Sequence, residues 1–469
     1  MPDGTYWRPE IETLAWPDVE TLQATSLVRQ LAYLSDRSPF YVRKFKEAGF
    51  DAEHVRTIGD LRHAPFTLKE ELRDSQIANP PLGEHAAADL LDVIRIHSSS
   101  GTTGRPSYVG ITRRDRDVWT ETVSRVYYTE GVRPSDVVIH GFGLGFFVGG
   151  LPLKDAMENI GATFIPIGTG ASDRLVTSIQ NLGGTVLTCT PSYAKYLAEY
   201  VRSRFEMDPA ELGLQRVLLG AEPGGGVPAV RERIAEEFGA FVTEGLGNAD
   251  LIPVYAATCP ELDGNHLVAP DYLAVEVIDP ASGEVLAMED GAEGELVATH
   301  LERECVPLVR FRTRDRVVVR TSPCACGRTG PRLLCVGRTD DMLIVTGVNV
   351  WPSAISDVVA TLHPRTTGAM QILLPEPGPK VTPPLHVQVE YGADATDLDA
   401  LRAQIEGLLR DKLIVASRVE LLPPGTLPRF EMKAQFIRKL WEEPGAPEAA
   451  PAANTRSESE RTPQERGSR

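Results

Sequence analysis

Several whole classes of protein are excluded by what this chain has little of. It carries six cysteines in 469 residues, too few for the disulfide framework that staples small secreted domains, so metal binding or simple burial in a reducing compartment is the better use for them. No apolar run approaches the ~18 residues that a membrane-spanning helix needs. The first residues, Met1–Trp7, lack the basic start and apolar stretch of a secretory signal. Positive charge is also short: 48 Lys and Arg stand against 65 Asp and Glu, a net charge of -17, which repels nucleic acid and anionic membranes unless charge is locally segregated. The expectation is a cytoplasmic protein with no nucleic-acid and no membrane partner.

What is present reads as an ordinary globular enzyme, 42% hydrophobic and 24% charged. At roughly 150 residues per domain the length implies two or three units. From Asp92 to about Asp250, strand-like runs (Val137–His140, Thr163–Ile167, Thr185–Thr188, Arg216–Leu219) alternate with helical spacing (Pro152–Ile160, Asp173–Leu182, Ser192–Arg202, Val227–Phe238). Such alternation predicts an α/β fold, a mainly parallel sheet with helices on its faces and ligands at the C-terminal strand ends. Leu27, Leu31 and Leu34 mark one buried face of an earlier helix. After Cys259 the pattern turns to strand pairs, as in Ala274–Asp279 and Gly294–Thr299, predicting a β-rich subdomain over about 255–336 within an N-terminal domain of residues 1–336. A small α+β C-terminal domain follows at 337–442, with a loop near Gly337, strands at Met342–Val345, Gln371–Leu374 and His386–Glu390, and helices at Pro352–Leu362 and Asp397–Leu408. Residues 443–469 have almost nothing to bury and read as a disordered tail.

The most informative stretch runs Ser98-Ser99-Ser100-Gly101-Thr102-Thr103-Gly104-Arg105-Pro106, directly after the strand-like Val93–Ile96. Glycines let backbone approach an anion, hydroxyls donate to phosphate oxygens and Arg105 adds charge. The Walker form is excluded, because Arg105-Pro106 stands where it has lysine and a hydroxyl. A polar turn between two strands is the competing reading.

Together with Val306–Asp315 and Gly337–Leu343, this loop and its flanks resemble the phenylacetate-coenzyme A ligases of the adenylate-forming superfamily, from about Tyr6 to Arg438. The resemblance implies a large N-terminal and a small mobile C-terminal domain. It implies MgATP-dependent conversion of a carboxylate to an acyl-adenylate, followed by transfer to a thiol. Residue by residue, it makes Ser98 to Arg105 the phosphate loop and puts Gly220-Ala221-Glu222-Pro223 at the adenine. It places Leu246-Gly247-Asn248-Ala249-Asp250 at the nucleotide, with Asp250 as magnesium ligand. Asp315 takes the ribose hydroxyls, Arg338 lies near ribose and α-phosphate, Asp340 is the hinge and Lys433 is the adenylation lysine. Four departures stand out. Asp250 replaces glutamate, Leu246 replaces an aromatic residue, Arg105 replaces the lysine of many relatives, and Met432 replaces the glycine that often precedes the catalytic lysine. A surface carboxylate is the plain alternative for Asp250.

His140-Gly141-Phe142-Gly143-Leu144-Gly145-Phe146 resembles the family's aryl pocket, with His140, Phe142, Gly143, Gly145 and Phe146 as lining, and fits a compact aromatic carboxylate. Cys259, His266, Cys324 and Cys326 supply three thiolates and an imidazole, a closed zinc set. Buried free cysteines beside a surface histidine are the alternative, and Cys189, Cys305 and Cys335 read as core. The expected cofactors are ATP, Mg2+, coenzyme A as co-substrate and structural Zn2+. A carrier-protein thiol is the second acceptor, and a homodimer is compatible with this reading. An ATP-dependent diazotase that activates nitrite and a non-catalytic nucleotide-binding regulator are the rival functions.

Overall fold

The structure is a computed structural model that describes residues 4–99, 107–222, 224–346, 348–428 and 435–442. The tail at 443–469 therefore lies outside the described residues. Four helices open the chain: α1 (Pro9–Glu12), α2 (Trp16–Arg37), α3 (Pro39–Ala48) and α4 (Lys69–Ala78). Leu27, Leu31 and Leu34 of α2 are buried together with Phe40, Tyr41 and Phe45 of α3, as their spacing predicts. Next come β1 (Arg95–Ser98) and β2 (Tyr108–Ile111), an antiparallel pair in which Ser98 faces Tyr108. The first strand lies two residues later than the apolar run at Val93 predicts, because pairing with Tyr108–Ile111 sets its register.

After α5 (Arg113–Thr129) the alternation appears as β3 (Val137–His140), α6 (Leu151–Ile160), β4 (Thr163–Pro166), α7 (Ser172–Leu182), β5 (Val186–Cys189), α8 (Pro191–Phe205), β6 (Arg216–Leu219), α9 (Pro228–Phe238) and β7 (Phe241–Leu246). Left-handed glycines close several of these helices, Gly161, Gly183 and Gly239 among them. Strands β3 to β7 pair in parallel, with β3 between β4 and β5.

The β-rich segment contains β8 (Ala256–Thr258), β9 (Asn265–Leu267), β10 (Leu273–Ile278), β11 (Val285–Leu286), β12 (Glu293–His300), β13 (Phe311–Arg320) and β14 (Arg332–Arg338). It is not a separate layer. One twelve-stranded sheet runs β11-β10-β12-β13-β14-β9-β8-β7-β6-β5-β3-β4, because β7 pairs in parallel with β6 and antiparallel with β8. Gly337 belongs to β14 and not to a loop.

The C-terminal unit comprises β15 (Leu343–Val345), β16 (Val348–Val350), α10 (Pro352–Ala360), β17 (Thr366–Leu374), β18 (Lys380–Val381), β19 (Leu385–Tyr391), α11 (Leu398–Leu413), β20 (Ser417–Leu422) and β21 (Ile437–Lys439). It encloses its own core, including Ile355, Val359, Ile372, Val387, Ile405 and Leu409. Cys189 and Cys305 are core residues, whereas Cys335 is only partly buried. Among the described residues no helix is long and apolar enough to cross a membrane.

The N-terminal segment is fastened to the turn between β13 and β14. Arg328 donates from Nε to Glu12 at 2.9 Å and from Nη2 to the Thr5 carbonyl at 2.9 Å. Tyr6 donates to the Cys326 carbonyl at 2.7 Å, and Thr329 to the Leu14 carbonyl at 2.6 Å. The Arg328 and Glu12 side chains are 2% and 0% exposed, so removing either strands the other without water. Arg328→Met is expected to cost about 3 kcal/mol of stability, measured by chemical denaturation followed by tryptophan fluorescence.

Candidate functional site

Ser98 and Ser99 are buried at the neck of the phosphate-like loop; Ser100, Gly101, Thr102, Thr103, Gly104 and Arg105 lie outside the described residues. The neck is tightly closed. Ser99 and Ser107 exchange backbone and hydroxyl bonds, with their hydroxyls 2.9 Å apart. The Ser98 hydroxyl donates to the Ser99 carbonyl at 2.9 Å. These two hydroxyls thus lie where the antiparallel pair of β1 and β2 meets the residues outside the described set.

Ser107 carries the neck onto the next segment. Its hydroxyl donates to Asp250 Oδ1 at 2.7 Å, while Lys69 Nζ donates to Asp250 Oδ2 at 2.6 Å. Asp250 is 3% exposed, so it is not the surface carboxylate that its sequence context allows. Its turn is set by Gly247, where a Cβ would stand 1.9 Å from the Pro253 carbonyl. Asn248 stiffens the same turn by accepting the Asp250 N–H at 3.0 Å, and Ala249 bridges the two. Leu246, the last residue of β7, packs against the central core.

Gly220, Ala221 and Glu222 leave the end of β6, while Pro223 lies outside the described residues. Ala221 has φ +70, a region that a Cβ disfavours. Glu222 accepts the Ser192 N–H at 2.6 Å, placing a carboxylate at the N-terminus of α8 where the helix dipole favours it. Behind it, Glu244 of β7 accepts from the Gly225 and Gly226 N–H groups, and burial pushes its carboxyl up to about 7. A Cβ on Gly225 or Gly226 would sit 2.9 or 2.7 Å from Glu244, so the loop passes over this carboxyl because it has no side chains.

Asp315 and Arg338 face each other across β13 and β14. Arg338 Nη1 donates to Asp315 at 2.9 Å, and its other edge is bidentate to Asp340 at 2.9 and 2.8 Å. Trp351 Nε1 donates to the Arg338 carbonyl at 3.0 Å. Three residues singled out by sequence thus form one cluster at the junction with the C-terminal unit.

His140, at the end of β3, is fully buried between the Phe142 and Phe164 rings, with centroids at 5.6 and 5.0 Å. Burial pulls it down to about 4, and its Nδ1 meets the Thr188 hydroxyl at 2.9 Å. It is a neutral wall. Gly143 lies in close backbone contact with Gly150, where a Cβ would come 2.7 Å from the Gly143 carbonyl; Gly145 has open space. Phe146 is 50% exposed beside Tyr108, and its carbonyl accepts the Ser98 N–H at 2.9 Å. The aromatic segment therefore touches the phosphate-like hairpin.

Lys433 lies outside the described residues. Pro428 and Gln435, on either side of its segment, line a cavity of about 100 Å3 together with Glu222, Lys195 and Asp357. Burial in this junction pulls Lys195 down to about 8 and pushes Asp357 up to about 6. Arg233 donates across the same junction to the Thr367 carbonyl at 2.7 Å.

Cys259, His266, Cys324 and Cys326 come together, with ligand atoms all within 4.8 Å of one another. Cys259 and Cys324 sulfurs are 3.7 Å apart, and Cys326 sulfur lies 3.3 Å from His266 Nε2. His266 Nδ1 meets the Gly330 carbonyl at 3.3 Å, which leaves Nε2 free of its proton and aimed at the sulfurs. A hydrogen bond from the Cys259 thiol holds the Cys326 thiol far below its usual range. The four donors suit a tetrahedral soft metal.

Lys69 and Glu244 carry no motif in the sequence. A lysine opening a helix against its dipole was the available signal for the first; Glu244, inside an unremarkable strand, offered none.

The AMP-binding enzyme family profile matches residues 28–300, and that of the AMP-binding enzyme C-terminal domain matches residues 347–439. A phenylacetate-coenzyme A ligase from Thermus thermophilus is 38% identical over 91% of this chain and 97% of its own. A crystal structure of 2-hydroxyisobutyryl-CoA ligase in the postadenylation state, with 2-HIB-AMP bound, superposes with a TM-score of 0.88 at 30% identity over 94% of both chains. The same ligase with 2-HIB-AMP and CoA in the thioesterification state gives 0.70 over 94% of both chains, so the two units here are arranged more as in the former.

Because Glu244 carries its proton to a higher pH when folded than when unfolded, it adds stability at low pH that is lost as pH rises from about 4.5 to about 7. Relative to Glu244→Gln, the parent chain is expected to lose up to about 3 kcal/mol across that window and nothing further above it, measured by denaturant titrations at fixed pH values.

Proposed function

The chain belongs to the AMP-binding enzyme family, and from that membership we propose an ATP-dependent, AMP-forming acid–CoA ligase acting on a compact aromatic carboxylate. The observation that carries this reading is the Asp315–Arg338–Asp340 cluster at the junction of the two units. Asp315, an acceptor-only carboxylate, takes the ribose hydroxyls while Arg338 keeps it charged and aimed. The Ser98 to Arg105 loop binds the β- and γ-phosphates, with Ser99 and Ser107 fixing its neck. Gly220, Ala221, Glu222 and Pro223 run along the adenine, with Leu246 supplying its apolar flank.

The carboxylate attacks the α-phosphorus and pyrophosphate leaves; the coenzyme A thiol then attacks the acyl carbon and AMP leaves. Lys433, a cation on a flexible stem, bridges carboxylate and α-phosphate in the first step. Rotation at Asp340 exposes the adenylate for the second. Asp250 offers the hard oxygen that magnesium prefers, and magnesium there supplies charge neutralisation on the phosphates. The acid lies against Phe142 and Phe146, with the neutral ring of His140 behind Phe142 and Gly143 and Gly145 leaving room, a surface without a charge to greet a ring substituent.

Cys259, His266, Cys324 and Cys326 hold a structural zinc. Three sulfurs and a tautomer-fixed imidazole fill a tetrahedron and leave no open position for chemistry.

A pyrophosphate-release screen over aromatic acids, with and without coenzyme A, tests the activity. Phenylacetate or a close relative is expected to be turned over in a coenzyme A-dependent way, and Asp315→Asn to lose 100-fold or more in kcat/KM, an order of magnitude typical for a lost catalytic-site charge. Turnover of 2-hydroxyisobutyrate instead overturns the aromatic pocket. Acylation only of a carrier-protein thiol overturns coenzyme A as acceptor. Response to nitrite and an aryl amine alone supports a diazotase, and ATP binding without exchange on any acid supports a regulator.

Metal analysis of the purified chain is expected to find about one zinc per molecule, with most of it lost in Cys324→Ser. No zinc, or full retention in that variant, removes the metal site.

A further inference from the structure

Lys69 has no part in the roles assigned above, yet among the described residues it is the cation in contact with Asp250. Its position is unfavourable on local grounds. It is the first residue of α4, after the N-cap Leu68, whose N–H is taken by Glu71 at 2.7 Å. A positive charge in the first helical turn opposes the helix dipole. An ammonium drawn partly out of water also needs a strong partner, and Asp250 supplies it at 2.6 Å.

The arrangement at the carboxylate is asymmetric. Ser107 closes Oδ1 from the side of the phosphate-like loop. Lys69, 28% exposed, reaches in from solvent and covers Oδ2 of a side chain that is itself only 3% exposed. Magnesium binds a carboxylate oxygen at about 2.0–2.1 Å and keeps several waters around it. The ammonium fills the space those waters and the ion need, and it presents a like charge. The carboxylate that fits the metal chemically is thus capped by a cation of the protein itself.

We propose that Lys69 is a positioning residue that shuts Asp250 against divalent metal in the nucleotide-free enzyme. A polyphosphate arriving at the neck formed by Ser99 and Ser107 draws the ammonium off Oδ2, and metal then reaches Asp250. Metal and nucleotide load together, and the free enzyme does not collect divalent ions. This rests on the assignment of Asp250 as the magnesium ligand.

The test titrates Mn2+, read by electron paramagnetic resonance, into the full-length chain without nucleotide. The parent chain is expected to bind Mn2+ weakly. Lys69→Met is expected to bind it about tenfold tighter or more, on the scale by which ligand partners tune metal sites. Lys69→Arg keeps a cation there and should remain weak, while Lys69→Met combined with Asp250→Asn should lose the gain. Lys69→Gln, which keeps a donor but no charge, serves if the methionine variant does not fold by circular dichroism. Equal Mn2+ affinity in the parent and in a folded neutral variant overturns the proposal, as does a gain that survives Asp250→Asn. Pyrophosphate exchange by the parent chain reports separately on the ligase reading: no exchange together with the Mn2+ gain sinks that reading and leaves this one standing.

Discussion

The described part of the proposed nucleotide site hangs from the C-terminal end of β7. On one side β7 pairs in parallel with β6, whose exit carries Gly220, Ala221 and Glu222. On the other it pairs antiparallel with β8, and the ladder continues through β9 and β14 to β13, where Arg338 and Asp315 face each other. Its own exit is the turn from Gly247 to Asp250. That turn exists only because Gly247 lacks a Cβ, which would collide with the Pro253 carbonyl at 1.9 Å. The single change from parallel to antiparallel pairing therefore brings three stretches of sequence onto one rim.

Around that rim, charges are placed where desolvation alone disfavours them, and each is held by a specific partner. Asp250 has Ser107 and Lys69; Arg338 has Asp315 and Asp340; Glu222 has the Ser192 N–H at the start of α8. Glu244 follows another course, retaining its proton towards neutral pH under a glycine-only loop. Such groups add little to stability compared with apolar side chains in their place. Apart from the Lys69–Asp250 pair, which is proposed to open, their arrangement makes sense as preorganisation, since side chains and dipoles already oriented need little rearrangement when a ligand arrives.

Local sequence disclosed what local physics determines. The strands from Val137 to Leu219 and the helices between them follow apolar spacing, and the structure reproduces them within a few residues. The Cys and His quartet was legible because only certain residue types bind soft metals, and the fold brings the four together. What sequence could not disclose depends on long-range pairing. The sheet continues across β8 and β9, each only three residues long, too short to carry a period. Lys69 and Asp250 are 181 positions apart, and neither hydropathy nor motif links them. The strand at Arg95 is set by its partner and not by the more apolar Val93-Ile94.

The junction between the units is partly hollow and partly charged, which suits the proposed rotation. It encloses a cavity of about 100 Å3, and its polar links include the bond from Arg233 to the Thr367 carbonyl and the Lys195 and Asp357 charges. Each of those two charged groups is pushed toward neutrality by desolvation, so each is relieved when water enters. The Arg338 fork holds Asp315 on one edge and Asp340 on the other. If the C-terminal unit turns about Asp340, that guanidinium is the element that senses both the nucleoside side and the hinge. In the proposed reaction, release of Asp340 would free the outer edge of the fork while the inner edge keeps Asp315 oriented, so that one set of nucleoside contacts would serve both half-reactions.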